Sequence, residues 1–195
     1  MAKSLKILII DAHPAQESFV SALADAYQKG AQKSGAEVRK LNLRELAFDL
    51  SFAGYKSEKR QLEPDIIKAQ ELLKWSEHIV LVYPNWWGTY PALLKGFLDR
   101  TLLPGFAFKY RENNPFWDKL LKGRSARLLV TMDTPSWYYT LFWSAPGHRS
   151  MKNCILGFCG IRPIKITDFS PIRNSTPEKR NLWLKKAEDL GFRWQ

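Results

Sequence analysis

Three short stretches of this 195-residue chain concentrate side chains capable of chemistry. The first is Asp11-Ala12-His13-Pro14-Ala15-Gln16-Glu17-Ser18-Phe19. Ser18 can cap a helix there, and the free amides of such an end accept a phosphate, with His13 as a further donor. A turn histidine bonded to backbone is the plainer reading of His13. The second stretch packs Tyr83, Trp86, Trp87 and Tyr90 into eight residues, with Pro84, Asn85 and Gly88 between them. Flat aromatic faces and backbone amides suit a planar heterocycle, and Gly88 lets backbone approach a ligand. Hydrophobic filling under a loop is the competing reading. The third runs Thr131-Met132-Asp133-Thr134-Pro135-Ser136-Trp137-Tyr138-Tyr139, with Trp143 and His148 just beyond. Tyrosine and histidine can give a proton to a developing anion. A mobile aromatic lid, or a subunit interface rich in Trp and Tyr, accounts for the same residues.

Other chemistries find no pattern. The first stretch lacks both GxGxxG and GxxxxGK[ST], so a dinucleotide-binding Rossmann site and a P-loop lose support. There is no GxSxG nucleophile elbow. His13, His78 and His148 are too scattered for a metal set. Cys154 and Cys159 form no CxxC and fall in a predicted helix, where core packing is expected of both. Asp99 and Arg100, at a helix end, read as a surface or intersubunit ion pair.

The elements that must position these stretches follow from periodicity. Leu5–Asp11 and His78–Tyr83 are short apolar runs of the kind that form buried strands. Ala36–Leu43 alternates, Arg124–Met132 is a fourth strand, and Ile161–Phe169 a fifth, with Pro163 marking an edge or a first residue. Helices are predicted over 16–34, from Glu63-Pro64-Asp65 to about Ser76, from Pro91 to about Arg100, over 148–159, and after Ser175-Thr176-Pro177-Glu178, which resembles a capping box. Residues 44–61 and 133–147 are expected to be loops. Strands alternating with helices define an α/β class: a parallel sheet covered on both faces, a doubly wound three-layer sandwich with right-handed crossovers. Ligands of such sheets bind beyond the carboxyl ends of the strands, where all three stretches fall.

Length and composition agree with one domain spanning 1–195, without disorder. No apolar run reaches the ~18 residues of a membrane helix, and the start has no cleavage-site chemistry. Two cysteines and no targeting signal lead to the expectation of a cytoplasmic chain. The net charge of +11 is uneven: residues 1–100 hold 14 basic and 12 acidic residues, residues 101–195 hold 16 and 7. A basic half can attract phosphorylated cofactors, an anionic membrane or nucleic acid. No nucleic-acid module is present, so that partner is set aside.

Together the three stretches resemble the NAD(P)H quinone oxidoreductase family of flavoproteins, which has a flavodoxin-like fold. The residues that carry the resemblance are ILIIDAHPAQESF at 7–19, LVYPNWWGTYPALLKGFLDR at 81–100 and LLVTMDTP at 128–135, with GFAFKY at 105–110 and FCGIRP at 158–163. The resemblance implies a five-stranded sheet in the order 2-1-3-4-5. It implies that His13, Ser18, Phe19 and Val20 line the phosphate and ribityl region of a flavin. Pro84, Asn85, Trp86, Trp87 and Gly88 would wrap the ring, and Thr131, Met132, Asp133 and Thr134 would meet its pyrimidine edge. Ile172 and Arg180 match positions beside the adenosine of FAD, which is expected over FMN. Tyr139 matches a tyrosine that stabilises charge on the reduced ring, with Tyr138 and His148 as neighbouring candidates. The chain departs from the family at Val20, where Asn is common, and at Thr131-Met132-Asp133-Thr134, where a Thr-Thr-Gly-Gly loop is usual. His148 also lies out of register with the family histidine. The activity implied is ping-pong hydride transfer from NAD(P)H through flavin to a quinone or similar aromatic acceptor, by a homodimer. A flavodoxin-like electron carrier, and a regulatory flavoprotein subunit at an anionic membrane or a transporter, are the alternatives.

Overall fold

The computed structural model describes residues 4–52, 54 and 61–194. Five parallel strands build the central sheet: β1 (Lys6–Asp11), β2 (Glu37–Asn42), β3 (His78–Pro84), β6 (Ser125–Thr131) and β7 (Ile164–Phe169), in the order β2-β1-β3-β6-β7. This is the expected 2-1-3-4-5 order. An antiparallel pair, β4 (Phe108–Tyr110) with β5 (Trp117–Lys119), is inserted before β6. Strand position follows composition. β3 is buried along its whole length and lies at the centre, whereas β2 alternates and lies at an edge. Pro163 immediately precedes β7, the other edge strand.

The helices are α1 (Phe19–Lys33), α2 (Pro64–Trp75), α3 (Ala92–Thr101), α4 (Ser136–Leu141), α5 (Pro146–Arg149), α6 (Gly157–Cys159) and α7 (Pro177–Phe192), with a π-helical stretch, Ser150–Leu156, joining α5 to α6. One face of the sheet, with Ile7, Ile9, Val80, Val82 and Leu129, packs under α1 and α7. The opposite face, with Leu8, Ile10, Leu81, Leu128 and Val130, packs under α2, α3 and the 146–159 segment. Helices α1 and α7 cross very closely. A Cβ added at Gly30 would lie 1.9 Å from the Glu188 carbonyl oxygen, and one at Gly191 would lie 2.1 Å from that of Tyr27. Glycine is required at both positions by this approach and not by backbone conformation.

Several local expectations change. The first helix begins at Phe19, not at 16, because Ser18 caps it: its side chain accepts a hydrogen bond from the Ser21 amide. The final helix is capped by Thr176 alone, with Lys179 at the position where a capping box needs Glu. Ser175 instead donates to the Ile172 carbonyl. Cys159 is buried as expected, but Cys154 is exposed. Arg100 is buried and pairs with Glu63, while Asp99 pairs with Lys95 one turn away. Much of the expected 44–61 loop, residues 53 and 55–60, lies outside the described residues; Leu43–Glu45, at its beginning, is a 3-10 turn. Among the described residues no helix is long and apolar enough to cross a membrane.

Candidate functional site

Parallel register brings the strand ends level. Asp11 sits beside Val82, Pro84 beside Thr131, and Thr131 beside Phe169. The loops that follow β1, β3 and β6 therefore meet over one edge of the sheet. Two adjoining cavities lie there, of about 220 and 400 Å³. Pockets of roughly 300–1,000 Å³ are usual for cofactors and small ligands.

The smaller cavity lies at the start of α1 and is walled by His13, Ser18, Phe19, Val20, Pro84 and Trp86, with Thr131, Met132 and Ile172 opposite. Ser18 caps the helix, and the first amides of α1 have no intrahelical partners. His13 is tied locally: Nδ1 accepts from the Ala15 amide at 3.0 Å, which leaves Nε2 as the donor of the neutral ring. Its edge meets Trp86, 5.7 Å between centroids. This is the backbone-bonded turn histidine of the plainer reading, and its ring also lines the cavity. Beneath the loop Asp11 is wholly buried. Its carboxylate accepts from the His13 amide at 3.1 Å and from Arg44 at 2.8 Å. Arg44 lies within the stretch expected to be a featureless loop. A carboxylate at the end of a buried strand is the sequence signal that a cation must come from elsewhere.

The larger cavity is lined by Asn85, Trp87, Gly88, Met132, Asp133, Thr134, Trp143 and Pro146. Asn85, Met132 and Asp133 line both, so the two spaces join there. The Trp86-Trp87-Gly88-Thr89 stretch is a tight reverse turn: the Trp86 amide donates to the Thr89 carbonyl and the Thr89 amide to that of Trp86. Trp87 (φ 53°) and Gly88 (φ 78°) occupy its two central, left-handed positions. Glycine accepts this freely, tryptophan at a cost of about 1 kcal/mol or more. The indole of Trp87 is fully exposed, and that of Trp86 nearly half so. Asp133 accepts from the Arg173 amide, and the Met132 carbonyl from the Ile172 amide, which fastens the loop after β7 to the site. Arg180 lines neither cavity but stands behind this wall, bonded to Ser175 and 5.8 Å from the centre of the Phe19 ring.

The three residues expected to act on protons line neither cavity. Tyr139 is fully buried; its hydroxyl donates to the Gly88 carbonyl at 2.8 Å and accepts from the Gly147 amide at 2.9 Å. Burial raises its pKa, against the amides of Gly147 and His148 and the Asn85 side chain, which favour the ionised form. Tyr138 is partly exposed and stacks on Phe142. His148 is buried against the Tyr139 ring, and its Nε2 lies 2.9 Å from the Asp168 carboxylate. Trp143, noted beside the third stretch, lines the cavity, and so does Pro146, which sequence reasoning passed over because it reaches the cavity only through the turn that follows α4.

A doubly wound sheet with paired cavities over its carboxyl edge defines an α/β protein of the three-layer sandwich class, whose ligands bind at that edge. More narrowly, the chain belongs to the Flavodoxin_2 family: the model of that family, described by its flavodoxin-like fold, matches residues 5–189. Among curated proteins it is 30% identical over 188 residues to an uncharacterised NAD(P)H oxidoreductase of Haemophilus influenzae, covering 92% of this chain and 91% of that one. It is 26% identical over 216 residues to the human ribosyldihydronicotinamide dehydrogenase [quinone], covering 97% and 92%. Among solved structures, the Smu.1420 protein of Streptococcus mutans superposes with a TM-score of 0.84 at 28% identity, over 97% of this chain and all of that one.

Proposed function

We propose that this chain is a flavin-dependent NAD(P)H:acceptor oxidoreductase that reduces quinones or similar planar aromatic acceptors. The observation that carries the reading is Asn85. Its Oδ1 is buried without a hydrogen-bond partner at the junction of the two cavities. An orphan acceptor costs about 1–3 kcal/mol, and an N–H on the edge of a flat heterocycle would satisfy it. The pattern of the pocket fits the rest of a flavin. A capped helix start with free amides suits its phosphate, and Met132 with the turn at Trp87-Gly88 suits a ring. Phe19 and Ile172 in the wall of the smaller cavity, with Arg180 behind Phe19, offer an apolar surface for an adenosine, which inclines the reading to FAD over FMN. The relatives named for NAD(P)H and quinone support the substrates.

A bound flavin supplies the hydride-accepting and hydride-donating chemistry. The protein binds, orients and shields. Ser18 and the α1 amides hold the phosphate end, and Asn85 fixes the pyrimidine edge. Trp87, Trp143 and Pro146 line a second space in which a nicotinamide or a quinone would stack. One space used in turn by two flat substrates gives ping-pong kinetics. The Asn85, Trp86 and Met132 amides are engaged with backbone carbonyls, so the amides of Trp87, Gly88, Asp133 and Thr134 are the candidates to hold developing negative charge. Exposed Tyr110, Phe116, Trp137, Leu141 and Phe142 call for a cover, and a second copy of the chain provides one in a homodimer.

The test is the visible spectrum of the purified protein, then NADPH added without oxygen. A yellow protein that bleaches is the expected result, and extraction of the cofactor separates FAD from FMN. A yellow protein that fails to bleach with NADPH or NADH moves the reading to an electron carrier. A protein that stays colourless after incubation with either flavin overturns it.

A further inference from the structure

Two strained loops meet at Tyr139. One is the reverse turn with left-handed Trp87 and Gly88. The other is the bend between α4 and α5, where Ser144 (φ 56°) and Ala145 (φ 43°) are consecutive left-handed residues, neither of them glycine. Such conformations cost roughly 1 kcal/mol or more each and persist only where surrounding bonds over-determine them. Those bonds centre on one side chain. The Tyr139 hydroxyl donates to the Gly88 carbonyl and accepts from the Gly147 amide. The Gly147 amide also reaches the Gly88 carbonyl, at 3.1 Å, and the Ala145 amide donates to the Tyr139 carbonyl at 3.0 Å. The fit leaves no slack: a Cβ at Gly147 would lie 2.8 Å from the Gly88 oxygen and 2.9 Å from the Tyr139 hydroxyl. Behind the ring stands His148, centroids 5.0 Å apart, itself held by Asp168 on β7.

We propose that Tyr139 is a positioning residue, a latch that holds the Trp87-Gly88 turn against the α4–α5 bend and so shapes the larger cavity, with the Asp168–His148 pair as its backstop. It rests on the flavin reading of that cavity. In this role the hydroxyl acts on the site through Gly88 and the neighbouring Asn85 side chain. Both of its hydrogen-bonding directions are in use within the protein, and it shows no surface to the cavity. Gly88, Trp143 and Pro146, which line that cavity, are the residues the latch brings together.

Two measurements test this. The first compares Tyr139→Phe with the wild type for flavin affinity and, at saturating flavin, for midpoint potential and the pH profile of reduction by NADPH. The expected result is a dissociation constant raised about tenfold, the loss of roughly one to two hydrogen bonds, with potential and pH profile unchanged. His148→Gln and Asp168→Asn should weaken binding in the same direction, and Tyr139→Phe with Asp168→Asn should cost less than the two separately. Unchanged affinity in Tyr139→Phe overturns the proposal, and so does a shifted potential or pH profile at unchanged affinity, which would mark direct action on the ring. The second measurement needs no variant: amide hydrogen exchange of Ala145 and Gly147 in the flavin-free wild type. Slow exchange is expected of a closed latch, and exchange as fast as that of a free loop overturns it. A wild type that takes up neither FMN nor FAD sinks the flavin reading, and the exchange measurement then decides the latch alone.

Discussion

At the scale of single residues, two polar groups are held away from water for different ends. Asn85 keeps an unpaired acceptor at the seam of the site, and Asp11 has its charge matched by Arg44 under the first loop. Asn85→Leu should cost little stability and weaken flavin binding about tenfold or more, read by equilibrium titration. Arg44→Met should be far more damaging. It strands a fully buried carboxylate, and breaking such a pair costs about 3–5 kcal/mol, measurable by urea unfolding. The double change Asp11→Asn with Arg44→Met should recover much of that loss; a double variant as unstable as the single one would show that the pair is not the cause. The aromatic and amide residues of the cavities were legible in the sequence because they cluster within short loops. Arg44 was not, since it is paired with a residue 33 positions away in a stretch without periodicity. The setting of Tyr139 was not legible either. Its partners come from residues 88 and 147, and nothing in Ser144-Ala145 advertises left-handed backbone.

Elements with a clear period were legible, and short ones were not. The five sheet strands and the long helices declare themselves by apolar runs and helical spacing. The pair β4 and β5, three residues each, falls below any period, and α4 hides in a run of aromatics that a loop would also carry. The contact of α1 with α7 is decided by two glycines. Gly191→Ala forces a methyl into the Tyr27 carbonyl and should destabilise by about 1–3 kcal/mol or more, whereas Gly35→Ala, where a Cβ meets open space, should pay only for its left-handed backbone. Chemical denaturation of both variants would separate the effects, and equal losses would deny the seam its role.

At the scale of the whole molecule, pH and salt act on different parts. His78 sits at the foot of the sheet between Tyr27, at 3.2 Å, and Ser125, at 2.7 Å. Burial, then the charges of Arg127 and Lys165, lower its pKa to about 4, and no carboxylate is among the groups acting on it. Between pH 6.5 and 4 the unfolded chain binds a proton that the folded chain refuses. Stability contributed by this site is therefore full above pH 6.5 and falls by about 3 kcal/mol as pH drops to 4. A His78→Gln variant should lose that slope in unfolding experiments. The surplus of basic residues beyond position 100 acts at the surface instead. Raising ionic strength should raise KM for NADPH, while kcat holds, in steady-state assays; a salt-independent KM would exclude electrostatic steering.

The close seam between α1 and α7 also orders events in time. The ribosome finishes α1 some 140 residues before it reaches α7. Throughout that interval Leu23, Tyr27 and the apolar side of β1 have no lid. A nascent chain in that state displays an apolar face prone to association, and it cannot close its second layer until α7 has been made. Early release of the polypeptide, by a stop codon anywhere before residue 177, would then yield aggregate and not a smaller working protein.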